Sequence, residues 1–145
     1  MRILLILTVI VSLITGCTNN KQQKSCKETA TEQPAIDSHN ARNSLDYHGT
    51  YKGTLPCTDC QGIVTELTLN SDDSFLLKTA YFGKSDTFVK SGTYDWNSEG
   101  NIIILDGIED APAKYLVQEN RIIQLDMSGN RVSGEQADKY VLNKL

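Results

Sequence analysis

Histidine is almost missing from this chain: 145 residues hold only His39 and His48. With so few, no Ser/His/Asp arrangement for nucleophilic catalysis is readable. His48, at the start of a candidate strand, reads first as a partly exposed structural residue. Acidic pairs such as Asp72–Asp73 and Glu109–Asp110 fall in turn clusters, where carboxylates are ordinary solvated loop residues. A glycine-rich loop that would cradle phosphates is absent. So is a basic patch of the kind that neutralises nucleic-acid phosphates, and nucleic acid is not an expected partner. No segment of helical length carries a 3.6-residue period, which argues against βαβ units. An enzyme is the least expected outcome.

Long apolar runs are also lacking. Arg2 is followed by an apolar stretch from Ile3 to Ile14, too short for a membrane-spanning helix, which needs about 20 apolar residues. It has the size and flanks of a secretory signal peptide, covering residues 1–16. The stretch ends in Ile14-Thr15-Gly16-Cys17, which resembles the bacterial lipobox. That resemblance implies cleavage before Cys17, lipidation of Cys17 on its sulfur and amine, and attachment to the membrane. Several acyl chains anchor stably where one binds reversibly, because each buried methylene contributes about 0.8 kcal/mol. Position 18 is Thr rather than Asp, which in lipoproteins of the enteric type resembles outer-membrane sorting. Loss of Arg2 leaves 13 basic against 18 acidic side chains, a formal net charge of −5.

Residues 17–46 form the expected lipidated tether. From Thr18 to Asp46 the chain is polar and nearly free of large apolar groups. It cannot bury enough surface to offset the entropy of ordering. A flexible coil of that length spans roughly 30 Å. Cys26 lies in it, as a free thiol or a link to another chain with no partner evident, and His39 lies in it with no role assigned.

From Tyr47 the texture changes, and residues 47–145 are assigned to one folded domain. Short runs rich in Thr, Val, Ile, Tyr and Phe alternate with turn clusters such as Asn70–Asp73, Gly83–Asp86 and Ser128–Asn130. The spacing predicts strands near 49–55, 63–69, 74–82, 87–95, 101–105, 113–118, 121–127 and 139–144. In the second, Ile63, Leu67 and Leu69 share a face; in the fourth, Phe88, Tyr94 and Trp96 do, with Gly92 between them marking a bend. An all-β fold follows: a small antiparallel up-and-down, lipocalin-like barrel of about eight strands. A barrel of that size either fills with side chains or holds one small ligand, and closure removes its edges.

Against this background stands Leu55-Pro56-Cys57-Thr58-Asp59-Cys60-Gln61-Gly62, between two strands. Redox catalysis by Cys-x-x-Cys needs a lowered thiolate pKa, supplied by a helix N-terminus or a cation. Here a strand connection and the Asp59 carboxylate work against the thiolate. A disulfide between Cys57 and Cys60 would close a four-residue loop, contributing at most roughly 2 kcal/mol. A structural zinc site needs four ligands, whereas Cu(I) is satisfied by soft thiolates. Cys57 and Cys60 therefore remain candidates for either a disulfide clip or a copper(I) site, with His48, Met127 or Cys26 as conceivable extra ligands.

The run Tyr51-Lys52-Gly53-Thr54-Leu55-Pro56-Cys57-Thr58-Asp59-Cys60-Gln61-Gly62-Ile63 closely resembles the N-terminal domain of NlpE-like lipoproteins, also called copper resistance lipoproteins. Gly92-Thr93-Tyr94 and Leu125–Asn130 resemble later elements of the same family. The resemblance implies a lipocalin-like barrel, outer-membrane attachment facing the periplasm, and a role in envelope stress, surface sensing or copper tolerance. A periplasmic sensor kinase is the implied partner. Longer members of the family carry a second β domain with another cysteine pair, whereas one barrel is expected here. The leading expectation is a non-enzymatic adaptor or sensor. Alternatives are a small-ligand binding module using the barrel interior and a periplasmic Cu(I)-binding protein using Cys57 and Cys60.

Overall fold

The computed structural model describes residues 39–145. The expected signal peptide, Cys17, Cys26 and most of the expected tether lie outside the described residues. A short helix α1 (Ala41–Ser44) leads into eight strands: β1 (Gly49–Leu55), β2 (Ile63–Leu69), β3 (Ser74–Tyr81), β4 (Thr87–Trp96), β5 (Ile102–Leu105), β6 (Lys114–Gln118), β7 (Arg121–Gln124) and β8 (Val141–Lys144). Every neighbour in sequence is an antiparallel neighbour in space, and β8 returns to pair with β1, so the sheet closes into an up-and-down barrel. A 3₁₀ turn, Ala137–Tyr140, precedes β8, so that strand starts two residues later than the expected 139.

Turn chemistry sets the register. Asp72 accepts from the Ser74 backbone N–H (3.1 Å) and hydroxyl (2.6 Å), while Asp73 takes a left-handed φ of 60°. Asn120, at φ 56°, closes the β6–β7 hairpin, where Gln118 faces Arg121. Asn97 Oδ1 accepts from the N–H groups of Asn101 and Ile102, each at 3.0 Å, and so ends β4 and starts β5. Asn and Asp favour such positions because their side chains bond nearby backbone and tolerate left-handed φ.

Alternation then fills the interior. Thr65, Leu67 and Leu69 of β2 point inward with Tyr51, Phe75, Ile103, Ile122 and Leu142, all buried. Gly53 has the same inward parity, and its missing side chain lets β8 approach. A Cβ there would lie 2.5 Å from the Val141 carbonyl oxygen. Gly92 similarly makes room for the Phe75 ring, which a Cβ would meet at 3.0 Å.

Two expectations change. Residues 39–46, assigned to the tether, are ordered against the barrel. Asn40 caps α1 by accepting from the Asn43 N–H (3.1 Å), Arg42 N–H donates to Gly100 O (3.0 Å), and Ala41 is buried. Leu45 packs on the core, and Lys144 Nζ donates to the Asp46 carbonyl (2.6 Å) and carboxylate (3.0 Å). The open end of the barrel supplies the apolar surface that this polar segment lacks. Phe88 has the inward parity of Tyr94 and Trp96, yet it is exposed. The reason is length: β4 has ten residues and β5 four, so β5 pairs only with Tyr94–Trp96, and the first half of β4 extends past the barrel wall.

Candidate functional site

The two ends of the barrel differ. At one, α1 and Tyr47 close the opening, with Tyr47 packed edge-on against Trp96 at 4.8 Å between ring centroids. At the other, β1 ends in the cysteine segment, and the loops 82–86, 106–113 and 125–140 surround a mouth.

The residues of the cysteine segment each do something local. Tyr51 is fully buried, and its hydroxyl donates to the Tyr47 carbonyl at 2.6 Å. Burial, reinforced by the Asp46 carboxylate, pushes its pKa up to about 12. Leu55 and Pro56 line the mouth. Cys57 and Cys60 are joined as a disulfide, with Cα atoms 5.3 Å apart. Gly62 holds φ 148°, and a Cβ there would lie 2.6 Å from Thr54 Cγ2. The Gly62 carbonyl accepts from the Phe82 N–H at 2.9 Å, tying the clip to the β3–β4 hairpin.

No helix starts at Cys57; residues 58–61 are a bend with Thr58 and Asp59 exposed. The helix dipole that would stabilise a thiolate is therefore not supplied. A closed disulfide also has no thiolate for Cu(I), so copper binding by this pair requires its reduction first. His48 sits at the other end of β1, its ring tilted at 44° against Tyr47 with ring centroids 4.2 Å apart. A seven-residue strand rising about 3.3 Å per residue keeps it roughly 20 Å from the clip. It cannot share a metal with Cys57 and Cys60. Met127 is exposed in the 125–140 loop, and Cys26 lies outside the described residues.

The mouth holds a cavity of about 340 Å³. Its walls include Ile63, Leu77, Ile108 and Pro112, with Thr65, Tyr115 and Gln124 as polar groups. Gln124 Nε2 donates to Tyr115 Oη (3.2 Å) and to the Pro112 carbonyl (3.4 Å). Burial pushes the Tyr115 pKa up to about 12, partly offset by the Gln124 bond. At pH 7 this phenol is a neutral hydrogen-bonding group, not a base. A larger depression of about 470 Å³ lies beside α1, but it is an open surface hollow rather than barrel interior. The barrel is thus filled in its lower part and open near the clip.

Sequence reasoning missed the mouth's polar pair. Tyr115 and Gln124 were legible as members of strands, and Gln124 shares parity with the buried Ile122. A glutamine at a core-parity position was the available signal. On the outer wall, Glu66 is bracketed by Lys78 (3.1 Å) and Lys52 (3.6 Å). The Lys78 hydrogen bond, with both lysine charges, holds its pKa below the usual carboxylate value.

Comparison with known proteins agrees with this architecture. Residues 51–135 match the family profile of the NlpE N-terminal domain. Lipoprotein NlpE of Escherichia coli (strain K12) is 27% identical over 131 residues, covering 87% of this chain and 50% of that protein. The chain therefore spans about half the length of this curated relative. The crystal structure of a Shewanella oneidensis protein described as a lipoprotein is 44% identical, with a TM-score of 0.66 over 73% of this chain and 95% of that one. The crystal structure of the Cpx pathway activator NlpE from Escherichia coli gives 26% identity and a TM-score of 0.48, covering 60% of this chain and 46% of that one.

Proposed function

The chain belongs to the NlpE family through its N-terminal domain, and on that premise we propose that it is a non-enzymatic, lipid-anchored adaptor of the bacterial cell envelope. The anchor is Cys17, the address is the outer membrane facing the periplasm, and the working end of the barrel is the clip end. One observation carries the reading. The family-like run from Tyr51 to Ile63 climbs one strand to the clip rim: a core tyrosine bonded toward the α1 end and a seam glycine lead to a closed disulfide bend flanked by three mouth-lining residues, Leu55, Pro56 and Ile63. Those residues shape and stiffen a surface; none is poised for bond making. A rigid rim on a tethered barrel suits contact with a second envelope protein.

The Escherichia coli relative is a Cpx pathway activator; for this chain the proposed partner is the periplasmic domain of an envelope-stress histidine kinase. The inputs that would change this contact are envelope stress, surface attachment or copper. Reconstitution of the full lipidated chain with such a kinase in proteoliposomes tests this. A rise in kinase autophosphorylation that Cys17→Ala abolishes is expected. No rise, or one indifferent to the anchor, would count against it.

A second reading has its own support. The mouth cavity, with apolar walls and the Tyr115–Gln124 pair, has the volume and mixed lining of a small-ligand site. On this reading the barrel would hold a compact, mostly apolar molecule carrying one hydrogen-bonding group. It predicts a ligand-dependent rise in melting temperature that Leu77→Trp, filling the cavity, would remove.

A further inference from the structure

Closure of the barrel is incomplete on one side. β3 pairs with β4 from Ser74↔Thr93 through Ala80↔Thr87, but β5 pairs only with Tyr94, Asp95 and Trp96. Two backbone bonds fix which groups face which way. The Tyr94 N–H donates to Asp73 O, on the β3 side, and the Asp106 N–H donates to Thr93 O, on the β5 side. In an antiparallel strand the N–H and C=O of one residue point to the same side and the side alternates. Phe88, Lys90 and Gly92 therefore bond toward β3, whereas Thr87, Val89 and Ser91 present N–H and C=O to the β5 side. Among the described residues no strand pairs with them there.

The same segment is exposed on both faces. Residues 87–91 are all exposed, and Phe88 and Val89 reach 57% each. Tyr81 (45%) and Phe82 (55%) continue the apolar surface, with Tyr81 edge-on to Phe88 at 6.2 Å. Proteins normally shield such an edge with charge, proline or a covering element. Here Lys90 is the one charged residue between Thr87 and Ser91.

We propose that the free edge of β4 pairs with the same edge of a second copy of this chain, antiparallel and centred on Val89. The sequence fits itself in that register. Val89 faces Val89 of the second copy, and Thr87 faces Ser91 in both directions, so every free N–H on one edge meets a free C=O on the other. Lys90 comes to lie opposite Phe88, not opposite the second Lys90. The pair that would repel is replaced by an ammonium beside an aromatic ring, twice over. Centring on Lys90 instead would set the two ammonium groups face to face and bring Thr87 opposite Thr93, whose carbonyl already accepts from Asp106, while centring on Phe88 would leave Ser91 opposite the 82–86 loop of the second copy. An interface related by a two-fold axis presents the same patch from both copies, as this edge does. The contact is short, so the dimer is a weak one that a cross-link captures.

Single cysteines in the full chain, with Cys17→Ser and Cys26→Ser to leave no other thiol outside the closed clip, test the register in detergent. Directly opposed residues that exchange backbone bonds sit at about 5.5 Å between Cα atoms, within disulfide reach. Val89→Cys is expected to form a disulfide-linked dimer under mild oxidation. Thr87→Cys alone and Ser91→Cys alone should give about tenfold less, since neither faces its own copy. Mixing those two variants should restore the dimer. Val89→Pro, tolerable on an edge, should abolish the concentration-dependent rise in sedimentation mass of the parent while leaving its circular dichroism unchanged. The proposal is overturned if Val89→Cys stays monomeric, if Thr87→Cys alone dimerises as readily, or if Val89→Cys in the native envelope joins a different polypeptide instead.

Discussion

Gly53→Ala probes how the barrel closes. The new methyl carbon would stand 2.5 Å from the Val141 carbonyl oxygen and 2.9 Å from Leu142 Cδ2. The leucine can rotate away. The carbonyl belongs to β8, which is joined to β1 at Tyr51↔Lys144 and Lys52↔Asn143, and it retreats only if the seam opens. Reaching an ordinary contact near 3.5 Å asks for a shift of about 1 Å. Overpacking of that kind costs about 1–3 kcal/mol, while lost freedom of the unfolded chain returns about 0.4–1 kcal/mol, leaving a net loss of about 1–2 kcal/mol. At about 4–8 °C per kcal/mol for a domain of this size, the melting temperature should fall by about 5–15 °C. Thermal unfolding by circular dichroism reads the magnitude, and hydrogen exchange of the β8 amides reads its location. Gly107→Ala is the control: its φ is +73° and nothing lies within 4 Å of its Cβ position, so it strains a turn without touching the seam. If Gly53→Ala melts within about 1 °C of the parent and keeps β8 protection, the close approach at the seam is refuted.

Removing the clip with Cys57→Ser and Cys60→Ser should cost at most about 2 kcal/mol and leave the barrel folded. In the parent, Cu(I) should bind only after reduction and not at all in the double variant, as read by competition with a chromogenic chelator. Tyr51→Phe removes the 2.6 Å bond to the Tyr47 carbonyl, and chemical denaturation should show a loss of about 1–2 kcal/mol. Tyr51 and Tyr115 are pushed up to about 12 in the folded state, so their contribution is complete below the unfolded value of about 10 and lost as pH rises through the folded one. Stability should therefore drop between about pH 10 and 12, less steeply in Tyr51→Phe. Glu66 has the opposite sign. Its pKa is lowered by Lys78 and Lys52, so its contribution is present above about pH 4.3 and fades as pH falls through the folded value. Because the lysines are half exposed, Glu66→Gln should cost only about 0.5 kcal/mol at neutral pH, shrinking in salt and in acid.

Strand positions were legible because turn residues and alternation agree: Asn70–Asp73, Glu119–Asn120 and the inward Leu67 and Leu69 each signal the same register. What escaped the sequence depends on neighbours that are remote in it. Ala41 and Leu45 look too sparse to order a polar segment until the barrel end gives them a surface. Phe88 alternates as a core residue but stands clear because β5 is shorter than β4; the unequal lengths were legible, but not which half of β4 would be left unpaired. The clip was legible as a strand connection, from its flanking strands, whereas the mouth cavity required the third dimension to bring Leu55, Leu77 and Gln124 to one rim.

The central claim is that the clip end of the barrel is its contact surface. Amide chemical-shift mapping of the folded barrel against the periplasmic domain of an envelope-stress histidine kinase examines it directly. Shifts concentrated in residues 56–63 and 106–113, and unchanged around α1, are the expected result. Shifts confined to the α1 end, or none at saturating kinase domain, would contradict it.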